Sequence, residues 1–485
     1  MKLARRKLLG LAVGAASMPA LSLGALARGS QPLAEQLARY VVDLRFGDID
    51  PATVERVKAH VIDALGCGIA AFDERPVRAS REVALAGGTG AATVIGTSLR
   101  TSSELATFTN GAAVRYLDLN DVYASPAGAV HPSDHVAPCL AVAEAERASG
   151  AELITAIVIA YEVNCRLADL SDAMTRGWDG PVFSLPAVAL AAGRLMKLPR
   201  DQLVQAVNLA VNDHIPMGQT RTQANSDWKG LADAEAGRNA VFAAMLARAG
   251  VTGPDPIFEG RKGFFQLVSA PAEVELGAFG GRGGSFLIHQ CGMKAYPAVV
   301  YAQTAIVAAI AAAKEVGNLD SIAAIEIATS RRGYEQAGRD QEKWSPRNRD
   351  TADHSLPYIT ARAMLDGDIS NGSYAPERLR DPRALALMSK TTVKEDPAFA
   401  ASSGNAPPTR VTVILQDGRH IAHEIDDMPG FPGKPMTRAD VERKFRSNLG
   451  RRTLQEDTGA VLQALWALDR TDDLRSLTGK LTLRT

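Results

Sequence analysis

From about Gln31 to Val268 apolar residues recur in clusters of 3.6-residue period, the pattern of helices that bury one face. Ala137 to Leu170 is the clearest sample, two helical runs broken at Gly150, a residue suited to ending a helix. Ala187 to Met196, Leu203 to Val211 and Ala234 to Ala249 repeat the theme. Alanine dominates many of these faces, so the helices can approach closely with little side-chain volume between them. The pattern predicts a large all-helical domain over residues 31–276.

Glycine becomes dense from Gly277 to Gly284, and the periodicity changes after it. Phe286 and Ile288 alternate as in a strand, Ala298 to Ala313 reads as a long helix, and Ile325-Glu-Ile327 as a strand. Val411, Val413 and Leu415 alternate before Asp417-Gly418, a hairpin signal, with Ile421 and Ile425 in the return strand. The prediction is a smaller α+β domain over residues 285–425, in a chain that is mainly α. Thr437 to Arg470 turns helical again, and residues 430–485 are expected to pack back onto the large domain. No internal repeat is evident.

Composition narrows the classes of function. The 485 residues carry 54 Lys and Arg against 54 Asp and Glu, so no net field draws nucleic acid or an anionic membrane. No basic stripe with interleaved aromatics points to nucleic acid either. Cys67, Cys139, Cys165 and Cys291 form no Cys-x-x-Cys pair and read as buried small hydrophobes. Residues 1–29 read as an export signal: a basic stretch at Lys2, Arg5, Arg6 and Lys7, an apolar run from Leu8 to Leu26, and a small-x-small cleavage site at Ala25-Leu-Ala27. Arg5-Arg6 followed by Lys7-Leu8-Leu9 looks like a twin-arginine address, which implies handling by the twin-arginine export machinery and release to the periplasm. A single membrane anchor is the alternative, and no later stretch is long and apolar enough to span a bilayer.

Candidate chemistry sits in three polar strings: Asp118-Leu-Asn-Asp121 with His131-Pro-Ser-Asp134, then Lys294-Ala-Tyr-Pro297, then Asp353-His-Ser-Leu-Pro-Tyr358. Asp118 and Asp121 are three apart, so a helical turn would bring both carboxylates to one face, where a pair can share a proton; solvated acids at a helix end are the alternative. His131 precedes Pro132, which favours an extended backbone and aims the imidazole, while Ser133 or Asp134 would cap the helix that begins near Val136. Arg221, Lys229 and Lys294 lie in semi-apolar settings that suit carboxylate binding, although Lys229 could pair with Asp233 along a helix. Tyr358 could donate a proton or position a substrate oxygen, or be an ordinary core tyrosine. There is no nucleotide loop, no nucleophile elbow and no ligand set that would make Asp118, Asp121 and His131 a metal site. Acids, bases and cations without these motifs suggest acid–base chemistry on a small anionic molecule.

Taken together, the strings resemble the MmgE/PrpD family, which includes 2-methylcitrate dehydratase and cis-aconitate decarboxylase. The likeness runs from about residue 35 to 450 and adds Arg115-Tyr-Leu-Asp-Leu-Asn-Asp121, Gly218-Gln-Thr-Arg-Thr222, Trp228-Lys-Gly230 and Phe258-Glu-Gly260. The 218–264 stretch looks closer to the dehydratase branch. The resemblance implies a helical large domain and an α+β lid domain around a cleft, a homodimer, and a lyase working without metal or organic cofactor on a polycarboxylate. Carried over by position, it implies catalytic roles for Asp118, His131, Lys229, Lys294 and Tyr358; beside them, Asp121 and Arg221 are read from their chemistry as substrate-binding, Arg221 as a further carboxylate clamp. Dehydration is the first reading; isomerisation or epimerisation, decarboxylation, and non-catalytic polycarboxylate binding are the alternatives. Two positions depart from the family pattern: Val122 where a threonine is usual, and Gly177-Trp-Asp-Gly-Pro181 where a histidine is.

Overall fold

The computed structural model describes residues 31–399 and 406–484; the expected export signal lies outside them. The chain is mainly α, with a helical domain joined to a smaller α+β domain. In chain order the helices that build the first are α1 (Pro51–Ala70), α2 (Ser103–Tyr116), α3 (Val136–Ala145), α4 (Gly150–Leu170), α5 (Ser184–Leu195), α6 (Arg200–Asp213) and α7 (Ala232–Arg248). A short hairpin, β1 (Tyr123–Ser125) with β2 (Gly128–Val130), lies between α2 and α3. Helices α4, α5 and α7 contribute long runs of fully buried aliphatic and alanine side chains to one hydrophobic cluster. Close approach of small residues is what lets so many helices share it.

The break between α3 and α4 falls where the periodicity put it, but its cap is Ser149, which forms a reciprocal capping box with Glu152. Gly150 is instead the first residue of α4. Its N–H donates to Thr471 O at 2.7 Å, and a Cβ there would lie 1.7 Å from the Leu468 carbonyl oxygen. Glycine is needed because another part of the backbone lies against it.

The second hydrophobic cluster runs from Ala298 to Phe431 and takes in Val122. Its elements are α8 (Gln303–Val316), β3 (Ile322–Thr329), α9 (Arg331–Ala337), α10 (Leu356–Asp366), β4 (Thr391–Glu395), β5 (Thr409–Leu415) and β6 (His420–Ile425). The strands lie in the order β4-β3-β5-β6, with β3 parallel to β4 and antiparallel to β5. The β5–β6 hairpin turns at Asp417-Gly418, where Gly418 takes a φ of 83°. Side chains of β5 alternate between buried and half-buried, and α8 covers the buried face.

Two local readings are corrected. Phe286 and Ile288 form no strand: Leu287–Gln290 is a 3-10 turn, pinned by Leu287 N donating to Glu162 Oε2 at 2.8 Å. Strand β4 gave no sequence signal because most of its side chains are exposed at the sheet edge.

Beyond the sheet, α11 (Arg438–Leu449) and α12 (Thr458–Trp466) return to the first domain. Helix α11 lies on α1, with Phe445 against Gly66 and Lys444 Nζ 2.6 Å from the buried Asp63 carboxylate. The same Lys444 donates to Leu119 O at 2.9 Å, so the last helices brace the polar loop after α2 from behind. Among the described residues, no helix is long and apolar enough to cross a membrane.

Candidate active site

Helix α2 ends at Tyr116, Leu117 is its C-cap, and Asp118 follows with a φ of 53°. That left-handed conformation closes a helix, and Asp is one of few non-glycine residues that tolerate it. The turn folds the Asp118 carboxylate onto Arg115 in the last helical turn. Lys294 Nζ donates to Asp118 O at 2.7 Å and lies 3.0 Å from Oδ1. All three residues are buried. Burial pushes the Asp118 carboxyl up, but Lys294 and Arg115 together outweigh it and hold it well below the usual carboxylate range. Burial brings Lys294 down to about 8, against the opposing charge of Asp118. The pair is thus an ionised carboxylate beside an ammonium that can shed its proton just above neutrality.

Asp118 and Asp121 do not share a proton. The Asp121 carboxylate faces away from the cleft, where it accepts from Ser133 N and Tyr161 Oη, each at 2.8 Å, and lies 2.9 Å from His60 Nδ1. It is Asp121's backbone carbonyl that matters to the site, because His131 Nδ1 lies 2.7 Å from it. A carbonyl oxygen can only accept, so Nδ1 carries the proton and Nε2 keeps its lone pair. Pro132 holds His131 out of helix at φ −123° and ψ 81°, and its ring lines the cleft. Burial, then the charges of Arg115 and Lys294, keep this imidazole well below its usual pKa and neutral. Ser133 and Asp134 form no cap; their side-chain oxygens accept from Asn120 Nδ2 at 3.0 and 2.8 Å.

A second imidazole was not among the candidates. His354 lines the same cleft, with Nδ1 2.7 Å from Asp353 Oδ1. Asp353 is held ionised, chiefly by Lys229 against the opposing effect of burial, so it too can only accept, and His354 also presents an Nε2 lone pair. Burial and then the Lys229 charge take His354 down to about 4. Lys229 Nζ donates to both Asp353 oxygens at 2.7 Å and is buried behind the cleft. It fixes Asp353 and through it His354, and its partner is not Asp233. The sequence signal for His354 was the adjacent acid and imidazole, in a string read for its tyrosine.

Tyr358 lies away from the cleft. Its hydroxyl donates to Ser373 O at 2.6 Å and its ring sits beside Tyr374, an ordinary satisfied core tyrosine. Arg221 does line the cleft, with each of its three nitrogens bonded within the protein. Its Nε lies 3.1 and 3.2 Å from the two Asp179 oxygens, Nη2 donates to Asp233 Oδ2 at 3.0 Å, and Nη1 to Lys229 O at 2.8 Å.

The cleft has a volume of about 440 Å³. Arg332 and Glu335 of α9, with Arg339 and Asp340 just beyond it, line the cleft together with His131 and Asp179. Charges on and just after a short helix carry no sequence signal for a site, and these four were not foreseen. Where the family pattern has a histidine, the cleft presents Trp178 and Asp179. At the other departure, the Val122 side chain is buried in the second hydrophobic cluster. Its N–H and C=O exchange hydrogen bonds with Gly292, both at 2.8 Å, which brings Lys294 two residues on to Asp118. Among the described residues, no group of three or more His, Cys, Asp or Glu side chains could hold a metal ion. The four cysteines are buried free thiols.

Two neutral imidazoles, an ionised carboxylate and a low-pKa ammonium are thus gathered where a helical and an α+β domain meet. The chain belongs to the MmgE/PrpD family: the MmgE/PrpD N-terminal domain matches residues 35–277 and the MmgE/PrpD C-terminal domain residues 296–468. It is 29% identical over 433 residues to a 2-methylcitrate dehydratase of Cupriavidus necator, covering 83% of this chain and 87% of that one. It is 25% identical over 466 residues to the cis-aconitate decarboxylase of Homo sapiens, covering 92% and 94%. The likeness to a 2-methylcitrate dehydratase of Salmonella typhimurium is 29% over 420 residues, covering 81% and 85%. The family is thus one of dehydratases and decarboxylases.

Proposed function

We propose that this protein is a lyase of the 2-methylcitrate dehydratase type, which removes a proton next to a carboxylate of a small hydroxy-polycarboxylate and expels water. The observation that carries this reading is the Asp118–Lys294 pair set beside two imidazoles whose Nε2 positions are unprotonated. In this reading His131 Nε2 takes the proton, and ionised Asp118 steadies the imidazolium that forms. Negative charge developing on the substrate carboxylate falls to the Lys294 ammonium, a buried preorganised cation seated against the cleft-lining Asp118. The imidazolium then returns its proton to the departing hydroxyl, so that water leaves and a double bond remains. His354, oriented by Asp353 and Lys229, holds the hydroxyl in line. None of these steps calls on a cofactor.

Proton NMR in D₂O with hydroxy-, keto- and unsaturated polycarboxylates tests the reading. A new vinylic signal is the expected result. Deuterium entering an otherwise unchanged substrate would move the assignment to an isomerase, and carbon dioxide release to a decarboxylase. Binding without exchange would leave a carboxylate-binding protein. We further propose that the reaction runs in the periplasm, on the strength of the Arg5-Arg6 segment. Cell fractionation that finds the protein in the cytoplasm only would overturn this.

A further inference from the structure

The cations around the cleft are largely answered from within the protein. Lining it are Arg115, Arg221, Arg332 and Arg339, against the five carboxylates of Asp118, Asp179, Asp233, Glu335 and Asp340. Arg115 serves Asp118 and also lies 3.5 Å from Asp233 and 3.8 Å from the buried Asp134. Lys294 and Lys229 are bound to Asp118 and Asp353. Arg221, the cation that sequence alone offers as a carboxylate clamp, is closed off chiefly by Asp179. Asp179 is only 6% exposed, and Gly180 N donates to it at 2.9 Å, so it is a fixed wall. The nearest ion-pair partner of Arg332 is the most distant among the four, Glu335 at 3.5 Å, whereas Arg339 lies 3.1 Å from the adjacent Asp340.

We infer that Asp179 is a specificity-determining residue that makes this cleft select a dicarboxylate over a tricarboxylate. The inference rests on the lyase reading of the same site and narrows its substrate from hydroxy-polycarboxylates to hydroxy-dicarboxylates. The reaction type is kept, while 2-methylcitrate, a tricarboxylate, is disfavoured as substrate. One carboxylate sits at the reacting carbon near Lys294, and a second pairs with Arg332 on α9. The remaining arm faces Asp179 and must be uncharged, best a hydrogen-bond donor such as a hydroxyl. A third carboxylate there would lie beside Asp179 and Asp233 with the nearest guanidinium already engaged. Like charges brought together away from bulk water repel strongly, and such a repulsive element discriminates between ligands more sharply than an added contact does.

Calorimetry with succinate and tricarballylate, which lack a leaving hydroxyl, tests this without turnover. The wild-type protein should bind succinate at least about tenfold more tightly than tricarballylate, the scale of one unfavourable charge contact. Asp179→Asn should erase that preference by raising tricarballylate affinity, and Arg332→Gln should weaken succinate by about tenfold or more. Equal or tighter tricarballylate binding by the wild type would overturn the inference, as would an unchanged ratio in a folded Asp179→Asn variant. If Asp179→Asn does not fold, the wild-type ratio and the partly exposed Arg332→Gln still decide. Failure of the lyase reading is seen separately: the D₂O experiment would show no exchange while the binding preference persisted.

Discussion

A histidine that donates through Nδ1 to a fixed acceptor can offer only its Nε2 lone pair, and His131 and His354 share this arrangement with different acceptors. Both are neutral at pH 7, so the titration that limits the site near neutrality is that of Lys294, at about 8. In the proposed mechanism its ammonium is the active form. We therefore expect kcat/KM to be flat on the neutral side and to fall as pH rises through about 8. Lys294→Arg, which stays charged, should move that basic limb upward; an unmoved limb would show that another group controls it. Lys294→Ala should lower kcat by about 10²–10³, the scale of losing one preorganised charge. Tyr358 gives the opposite expectation. Because its hydroxyl is spent on Ser373 O, Tyr358→Phe should leave turnover within about threefold while costing roughly 1 kcal/mol of stability in a denaturant melt. A hundredfold loss of rate would return Tyr358 to the catalytic set.

Among elements, α2 shows how a helix end becomes a reactive group. The left-handed residue that closes it is Asp118 in place of the more usual glycine, so the turn delivers a carboxylate to Arg115 and Lys294. The start of α4 shows the reverse, a glycine required by a neighbour. Gly150→Ala would drive a methyl group into the Leu468 carbonyl and push the C-terminal segment off α4. The expected cost is about 2–3 kcal/mol, read as a lowered Tm, and an unchanged Tm would mean that this contact is loose. Periodicity made α3 to α7 legible because each buries a broad apolar face over several turns. It failed for Phe286 and Ile288, where two alternating residues are too few to separate a strand from a 3-10 turn. It also failed for β4, whose exposed edge carries no alternation.

For the molecule as a whole, the first core is not closed by its own stretch of sequence. Phe445, Leu449, Val461, Leu465, Trp466, Leu477 and Leu481 all enter the same hydrophobic cluster as α1 to α7. A chain ending at residue 436 would expose that surface and leave Asp63 buried without Lys444. It should lack a cooperative thermal transition and show a weakened near-ultraviolet dichroism spectrum; a sharp melt near that of the full protein would contradict this. Closing the core also shapes the site, since Lys444 holds the Leu119 carbonyl in the loop that carries Asp118 and Asp121.

The sequence by itself determined the helical character of the first domain, the Asp417-Gly418 hairpin and the polar strings from which the site is built, because these depend on neighbours within a few residues. Which of those polar groups would face a ligand was decided only by the tertiary structure. Lys229 meets Asp353 from 124 residues away and Lys294 meets Asp118 from 176, and no local pattern records such partners. For charges buried this deeply, the partner that each one finds decides what it can still do. That is why His354 and Asp179 line the cleft, while Tyr358 is bonded outside it and Arg221 is held by Asp179.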